Sequence, residues 1–218
     1  FAAITKNESK QFKKILQLVN VKSPIKILNI INKKKDNHFS YFLFISSSHV
    51  YGYSKKKIKE TKKRIPQNIY GKSKKRVEDY ILKNRKKFNF KVGIARIFNS
   101  TGPKQKKGNF VPDMIYKMKK LKNIENINQY RDFIHIDDVS RSIKCLIEKQ
   151  VQNPINISSG KKVNLIKACK ILNKKYVKKE MKYDLKKGKD IYGDNALLRK
   201  LGIKKFKNIT QSLLSYKK

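Results

Sequence analysis

Tyr70 and Lys74, in Tyr70-Gly71-Lys72-Ser73-Lys74, stand one helical turn apart, a spacing that brings a phenol and an ammonium together on one face. Tyr70, Lys74, Val77 and Ile81 share the i, i+4, i+7, i+11 spacing of an apolar stripe. Lys72, Lys75 and Arg76 fall off it, so Lys74 alone is turned toward the packed side, where an amine needs a partner. A free phenol has a pKa near ~10, and an opposite charge within a few ångströms lowers such a value by roughly 1–3 units. Asn68 is a good N-cap, which places Tyr70 in the first helical turn, where the dipole favours a phenolate. The pair is therefore an acid–base candidate. A core tyrosine beside a snorkelling lysine is the structural alternative.

A strand must present the partner group. Residues 41–45, Tyr-Phe-Leu-Phe-Ile, are an apolar run of strand length that ends in Ser46-Ser47-Ser48-His49-Val50-Tyr51-Gly52. Such a run suits a central parallel strand covered on both faces, and ligands in such sheets bind beyond the carboxyl ends of strands. A hydroxyl there can hydrogen-bond a substrate oxygen while the tyrosine exchanges its proton.

Four motifs extend the pattern: Ser-Ser-Ser-x-Val-Tyr-Gly, Tyr-Gly-Lys-Ser-Lys, Arg96-Ile97-Phe98-Asn99-Ser100-Thr101-Gly102-Pro103 and Arg131-Asp132-Phe133-Ile134-His135-Ile136-Asp137-Asp138-Val139. In order and approximate spacing they resemble the extended short-chain dehydrogenase/reductase family, the NAD-dependent sugar-nucleotide epimerases and dehydratases. The resemblance implies Ser47 as the catalytic hydroxyl, Tyr70 as acid/base, and Lys74 as its electrostatic partner and a ligand of the nicotinamide ribose. It places Ser46 and Phe98 beside the cofactor, NAD or NADP. It makes Ser48, His49, Asn99, Asn109, Phe110, Val111 and Arg131 substrate contacts, Arg131 gripping the diphosphate of a nucleotide sugar. Pairing of Arg131 with Asp132, Asp137 or Asp138 is the structural alternative, with Asp137 also suited to N-cap a helix over 139–149. Lys186 or Lys187 is a second match for a diphosphate contact.

Family dehydratases carry a carboxylate two residues after the catalytic hydroxyl, and this chain has His49 there. Epimerisation or 4-keto reduction, in surface-polysaccharide precursor synthesis, is therefore expected over dehydration. His49 is either a base or a structural residue. The alternatives are a dehydratase of the same family, or a non-catalytic remnant that holds nucleotides or RNA by charge.

Phe1-Ala2-Ala3 resembles the end of the family's fourth strand, with Ala2, Ala3 and Asn20 near the cofactor. No G-x-x-G-x-x-G occurs in the 218 residues, although the family carries a glycine-rich phosphate loop in its first βαβ unit. The expected fold is α/β: a partial Rossmann-type doubly wound parallel sheet lacking its first βαβ unit, with a small C-terminal substrate-binding region. An N-terminally truncated reading frame is the simplest account and a decayed relative the other. Such a chain is expected to bind nicotinamide cofactor poorly and to turn over no substrate. The expected division is 1–160 for the dinucleotide-binding part and 161–218 for the substrate region, with 104–130 contributing to the latter.

The formal charge is +41, which prompts a nucleic-acid hypothesis. The lysines are spread along the chain without a basic arm, and no helix-turn-helix, zinc-finger or RNA-stacking motif is visible. Specific nucleic-acid binding is not expected; the field would instead draw in anionic nucleotide sugars. No apolar run approaches the ~20 residues of a membrane span, and a cytoplasmic location is expected. Cys145 and Cys169 read as buried free thiols. No metal site is expected at His135. A homodimer is implied by the resemblance, through the helices over 10–34 and 70–87.

Overall fold

The computed structural model describes residues 10–34, 39–120, 124–125, 127–183, 186 and 188–216. In chain order its elements begin with α1 (Lys10–Gln17), a π-helical turn (Leu18–Lys22), α2 (Ser23–Lys34), β1 (Tyr41–Ser47), α3 (Ile69–Asn84), β2 (Lys91–Ile97), β3 (Asn99–Thr101) and α4 (Phe110–Lys119). There follow β4 (Tyr130–Arg131), β5 (Phe133–His135), α5 (Ile136–Glu148), β6 (Pro154–Ile157), β7 (Val163–Asn164), α6 (Leu165–Tyr176), α7 (Ala196–Lys200) and α8 (Ile209–Leu214). The architecture is mixed α/β, as expected.

Contacts divide the chain into two compact units. One comprises Phe1–Gly52, Glu60–Ile97 and Ile143–Ile155; the other comprises Tyr53–Lys59, Phe98–Ser142 and Asn156–Lys218. This differs from a division at residue 160, because β3 pairs with β5 and so carries the chain after Phe98 into the second unit.

In the first unit β1 and β2 are parallel in register, from Tyr41 opposite Lys91 to Ser47 opposite Ile97. The sheet order is β1-β2-β6, so among the described residues β1 is an edge strand rather than a central one. Its burial agrees: Tyr41, Phe42 and Leu43 are half-buried, whereas Val92, Gly93, Ile94, Ala95 and Arg96 of β2 are all buried. Val21, Leu28, Phe44, Val77, Ile81, Phe90, Val92 and Ile94 form the core of this unit. The helix expected over 10–34 is interrupted before Pro24, where the Ser23 N–H donates to Leu18 O across a π-type turn. Proline has no N–H to continue the ordinary ladder, and a single wide turn absorbs the fault.

In the second unit β3 and β5 pair in parallel and β4 and β7 antiparallel. Its core gathers Val111, Ile115 and Met118 of α4 with Phe133, Ala168, Cys169, Leu172 and Leu213. Helix α5 starts at Ile136, before the position expected from Asp137 as N-cap. The cap falls to His135, whose Nδ1 accepts the Asp137 N–H at 3.1 Å. Asp137 instead pairs with Lys207 at 2.5 Å, which holds its carboxyl below the usual range.

Asp132, 0% exposed, fastens a turn of this unit. It accepts the Ser159 N–H and Oγ–H at 2.8 Å each, the Gly160 N–H at 3.0 Å and the Gly193 N–H at 3.4 Å. Gly160 has φ +74°, a left-handed conformation that suits glycine. Burial pushes the Asp132 carboxyl up to about 6 against those four donors. The folded pKa thus exceeds the unfolded one, so the native state binds the proton more tightly. The stability this group adds is full below about pH 4 and is lost as pH rises through about 6. Asp132→Asn would turn an amide N–H₂ toward backbone donors. Urea unfolding is expected to show a loss of about 1–3 kcal/mol and a flatter stability profile between about pH 4 and 6.

Candidate active site

The Asn68 side chain caps α3 by accepting the Gly71 N–H at 2.7 Å, as the sequence implies. Along the helix Lys74 is 6%, Val77 0% and Ile81 1% exposed, with Tyr70 half-buried at the start of the stripe. Gly71 permits a close approach: a Cβ there would lie 2.4 Å from His49 O. The first turn of α3 is thereby pressed against the end of β1. Asn20, 1% exposed, donates from Nδ2 to Ser73 Oγ at 3.3 Å and fastens the π-turn to the same helix.

Ser47 and Tyr70 are brought together: the Ser47 side chain is near enough to the phenol to act on its proton, and Ser47 Oγ accepts the His49 N–H at 3.3 Å. The Lys74 amine donates to Ile45 O at 2.9 Å and stands 5.8 Å from the Tyr70 ring centre and 5.0 Å from that of Phe44. Burial draws the Lys74 ammonium down to about 8, with Glu78 opposing the fall. The expectation that Lys74 lowers the Tyr70 pKa is corrected. Burial raises the phenol, and the Ser47 side chain only pulls it part of the way back. The physical reason is desolvation: burial disfavours the phenolate, and the Lys74 amine donates to Ile45 O rather than to the phenol.

His49 follows β1 in a 3-10 turn (Ser48–Val50), with its ring edge-on to Tyr70 at 5.9 Å and 75°. Its Nδ1 faces Asn68 Nδ2 at 3.0 Å. The cap hydrogen bond fixes the Asn68 oxygen on Gly71, so the group facing His49 is a donor. Nδ1 must then accept, and a neutral His49 carries its proton on Nε2. Ser48 is 2% exposed. The Ser46 hydroxyl donates to Glu78 at 2.5 Å, so its side chain is committed inside the protein rather than toward a cofactor.

The described residues present a donor set that fits the nicotinamide ribose: the Tyr70 hydroxyl and an ammonium with three N–H, one of them spent on Ile45 O. Ala2 and Ala3 lie outside the described residues, as does Lys187.

In the second unit a cavity of about 240 Å³ is lined by Asn99, Phe110, Met114, Gln129, Arg131 and Phe133, among others. Arg131 pairs with none of Asp132, Asp137 and Asp138. Its guanidinium donates to Tyr130 O at 2.9 Å, Lys189 O at 2.7 Å and Gln129 Oε1 at 2.8 Å. Asn99 Nδ2 donates to Asp132 O at 3.0 Å. Of Asn109, Phe110 and Val111, Phe110 alone lines the cavity. Asn109 occupies the N-cap position of α4 and donates to Lys106 O, and Val111 is 1% exposed in the core. Helical periodicity explains the correction for Val111, since it follows Phe110 by one residue and faces another way. Phe98 is 3% exposed, and its N–H donates to Ile157 O at 3.0 Å.

Sequence reasoning missed Glu78 and Arg96. Arg96 is 2% and Glu78 0% exposed, and they are joined at 2.7 Å. The signal was available in the stripe itself, because Glu78 is the i+8 position from Tyr70. Cys145 and Cys169 are buried free thiols, and burial pushes Cys169 up to about 12. Among the described residues no group of three His, Cys, Asp or Glu side chains could hold a metal ion, and no helix is long and apolar enough to cross a membrane.

Residues 1–158 match the NAD dependent epimerase/dehydratase family, and the chain belongs to that family. The chain is 29% identical over 210 residues to the ADP-L-glycero-D-manno-heptose-6-epimerase of Brachyspira hyodysenteriae, covering 87% of this chain and 65% of that one. It is 30% identical over 152 residues to the dTDP-4-dehydro-6-deoxyglucose reductase of Escherichia coli, covering 66% of this chain and 48% of that one. The chain thus spans between about half and two thirds of the length of these curated relatives. Its fold is similar to that of a UDP-glucuronic acid 4-epimerase from Bacillus cereus, solved with UDP-glucuronic acid and NAD, at a TM-score of 0.84 and 24% identity. That match covers 98% of this chain and 71% of the solved one.

Proposed function

We propose that this chain carries the proton-exchanging centre of an NAD(P)-dependent nucleotide-sugar epimerase or 4-keto reductase, acting in the synthesis of surface-polysaccharide precursors. The observation that carries the reading is the seating of the first turn of α3 on the end of β1, which sets Tyr70 beside Ser47 with Lys74 buried one turn further along α3. Ser47 and Tyr70 hold one sugar oxygen between two hydroxyls, and Tyr70 gives or takes its proton. Burial keeps the phenol protonated at neutral pH, which suits delivery of a proton to a ketone oxygen. Keto reduction and the second half of epimerisation share that step. Lys74 and Tyr70 would hold the nicotinamide ribose; when bound, the nicotinamide supplies and accepts the hydride.

In the second unit the Arg131 guanidinium uses three of its five N–H donors on protein oxygens. The remainder suit a diphosphate, and the apolar wall of Phe110, Met114 and Phe133 suits a nucleobase.

His49 supports this subclass over dehydration. Asn68 holds its Nδ1 as an acceptor and its proton on Nε2, so the side chain stands as a neutral donor where a dehydratase needs a carboxylate base.

The test is a panel of UDP-, dTDP-, ADP- and GDP-sugars and their 4-keto derivatives, incubated with the natural polypeptide and NAD or NADPH, separated by liquid chromatography that resolves epimers and read by mass spectrometry. The expected product is an isomer of its substrate, or one enriched by two hydrogens. A product lighter by one water would overturn the subclass, and no conversion of any sugar would overturn the enzymatic reading.

A further inference from the structure

Behind Ser47, Tyr70 and Lys74 lies a carboxylate whose partners exceed what an ordinary buried ion pair requires. Glu78 is 0% exposed. It accepts Ser46 Oγ–H at 2.5 Å, Arg96 Nε–H at 3.1 and 3.2 Å, Arg96 Nη2–H at 2.7 Å and Arg64 Nη1–H at 3.0 Å. Arg96 reaches on to the Tyr51 hydroxyl at 2.7 Å and Glu60 O at 3.0 Å. One carboxylate on α3 thus fastens the last residues of β1, the end of β2 and the segment leading into α3.

Two of these links bear on the proton-exchanging group. Ser46 immediately precedes Ser47, so its bond to Glu78 sets where β1 ends against α3. Glu78 also lies one turn beyond Lys74, and its charge opposes the loss of the Lys74 proton. Lys74 meets Ile45 O and the Phe44 ring from β1, and Tyr70 and Glu78 on its own helix. Glu78 meets Ser46 from β1, Arg96 from β2, Arg64 from the preceding loop and, through Arg96, Tyr51.

We propose that Glu78 is a positioning residue for the proton exchange: through Ser46, Arg96 and Arg64 it clamps the end of β1 to α3, so that Ser47 stays against Tyr70 and a carboxylate stays one turn from Lys74. The proposal rests on the functional reading above, yet one readout is independent of it. The Lys74 titration can be followed by NMR in the ligand-free natural polypeptide labelled with ¹³C-lysine, the signal being assigned with Lys74→Arg.

Glu78→Gln preserves shape and removes the charge, and is expected to lower the Lys74 midpoint by about 1–2 units. An unmoved midpoint in a folded Glu78→Gln protein overturns the proposal. Should that variant fail to fold, Ser46→Ala decides, because it leaves the Glu78–Arg96 pair intact. Its kcat is expected to fall roughly ten- to a hundredfold at unchanged KM, and a wild-type kcat overturns the proposal. Inactivity of the wild-type protein would count against the functional reading alone, since the midpoint is measured without substrate.

Discussion

Tyr70→Phe in the natural polypeptide is expected to lower kcat by about 10²–10⁴-fold while leaving the affinity for nucleotide sugar nearly unchanged. The substitution removes one oxygen and keeps the ring, whose packing is set by the edge-on contact with His49 at 5.9 Å and by the cap that seats the first turn of α3. What disappears is the phenolic proton beside Ser47. Isothermal titration with the nucleotide sugar, beside steady-state kinetics, separates the two effects. A comparable loss of binding would mean that the hydroxyl serves to anchor rather than to exchange a proton.

Arg96→Met is expected to cost about 3–5 kcal/mol of stability, measured from the urea midpoint. The guanidinium makes three of the hydrogen bonds that satisfy Glu78, and both side chains are almost wholly buried. Without it a carboxylate at 0% exposure retains Arg64 and Ser46 as partners among the described residues, and the Tyr51 phenol loses the Arg96 guanidinium. Replacing both members, Arg96→Met with Glu78→Leu, is expected to recover much of the loss, because no charge is then left unpaired. A loss below about 1 kcal/mol for the single variant would place this pair among solvent-relieved surface bridges, contrary to its burial.

The chemistry of α3 was legible because it is local. The i, i+4 spacing of Tyr70 and Lys74, the stripe continued by Val77 and Ile81, and Asn68 as the N-cap all survive into the structure. Strand β1 was legible as a strand, but its neighbours were not: an apolar run does not reveal which flank carries hydrogen bonds, and the described sheet places it at an edge. Glu78 sat on the readable stripe, yet its meaning depends on Arg96, 18 residues away and brought near only by packing. The Tyr70 pKa could not be read from the neighbour alone, since burial is a property of the whole fold and it raises the phenol. The start of α5 moved because His135 supplied an acceptor that the helix-capping preferences of Asp137 did not anticipate. Of the substrate-side residues, Asn99, Phe110 and Arg131 share one cavity, while Val111 turns into the core.

The account stands on Ser47 and Tyr70 acting as one unit on a single proton, and a double-mutant cycle addresses that directly. Ser47→Ala, Tyr70→Phe and the combined variant would be compared by kcat in the natural polypeptide. The account predicts strong non-additivity, the double variant being little slower than Tyr70→Phe alone. Losses in kcat that multiply in full would show two independent contributions and contradict a shared proton between the strand end and α3.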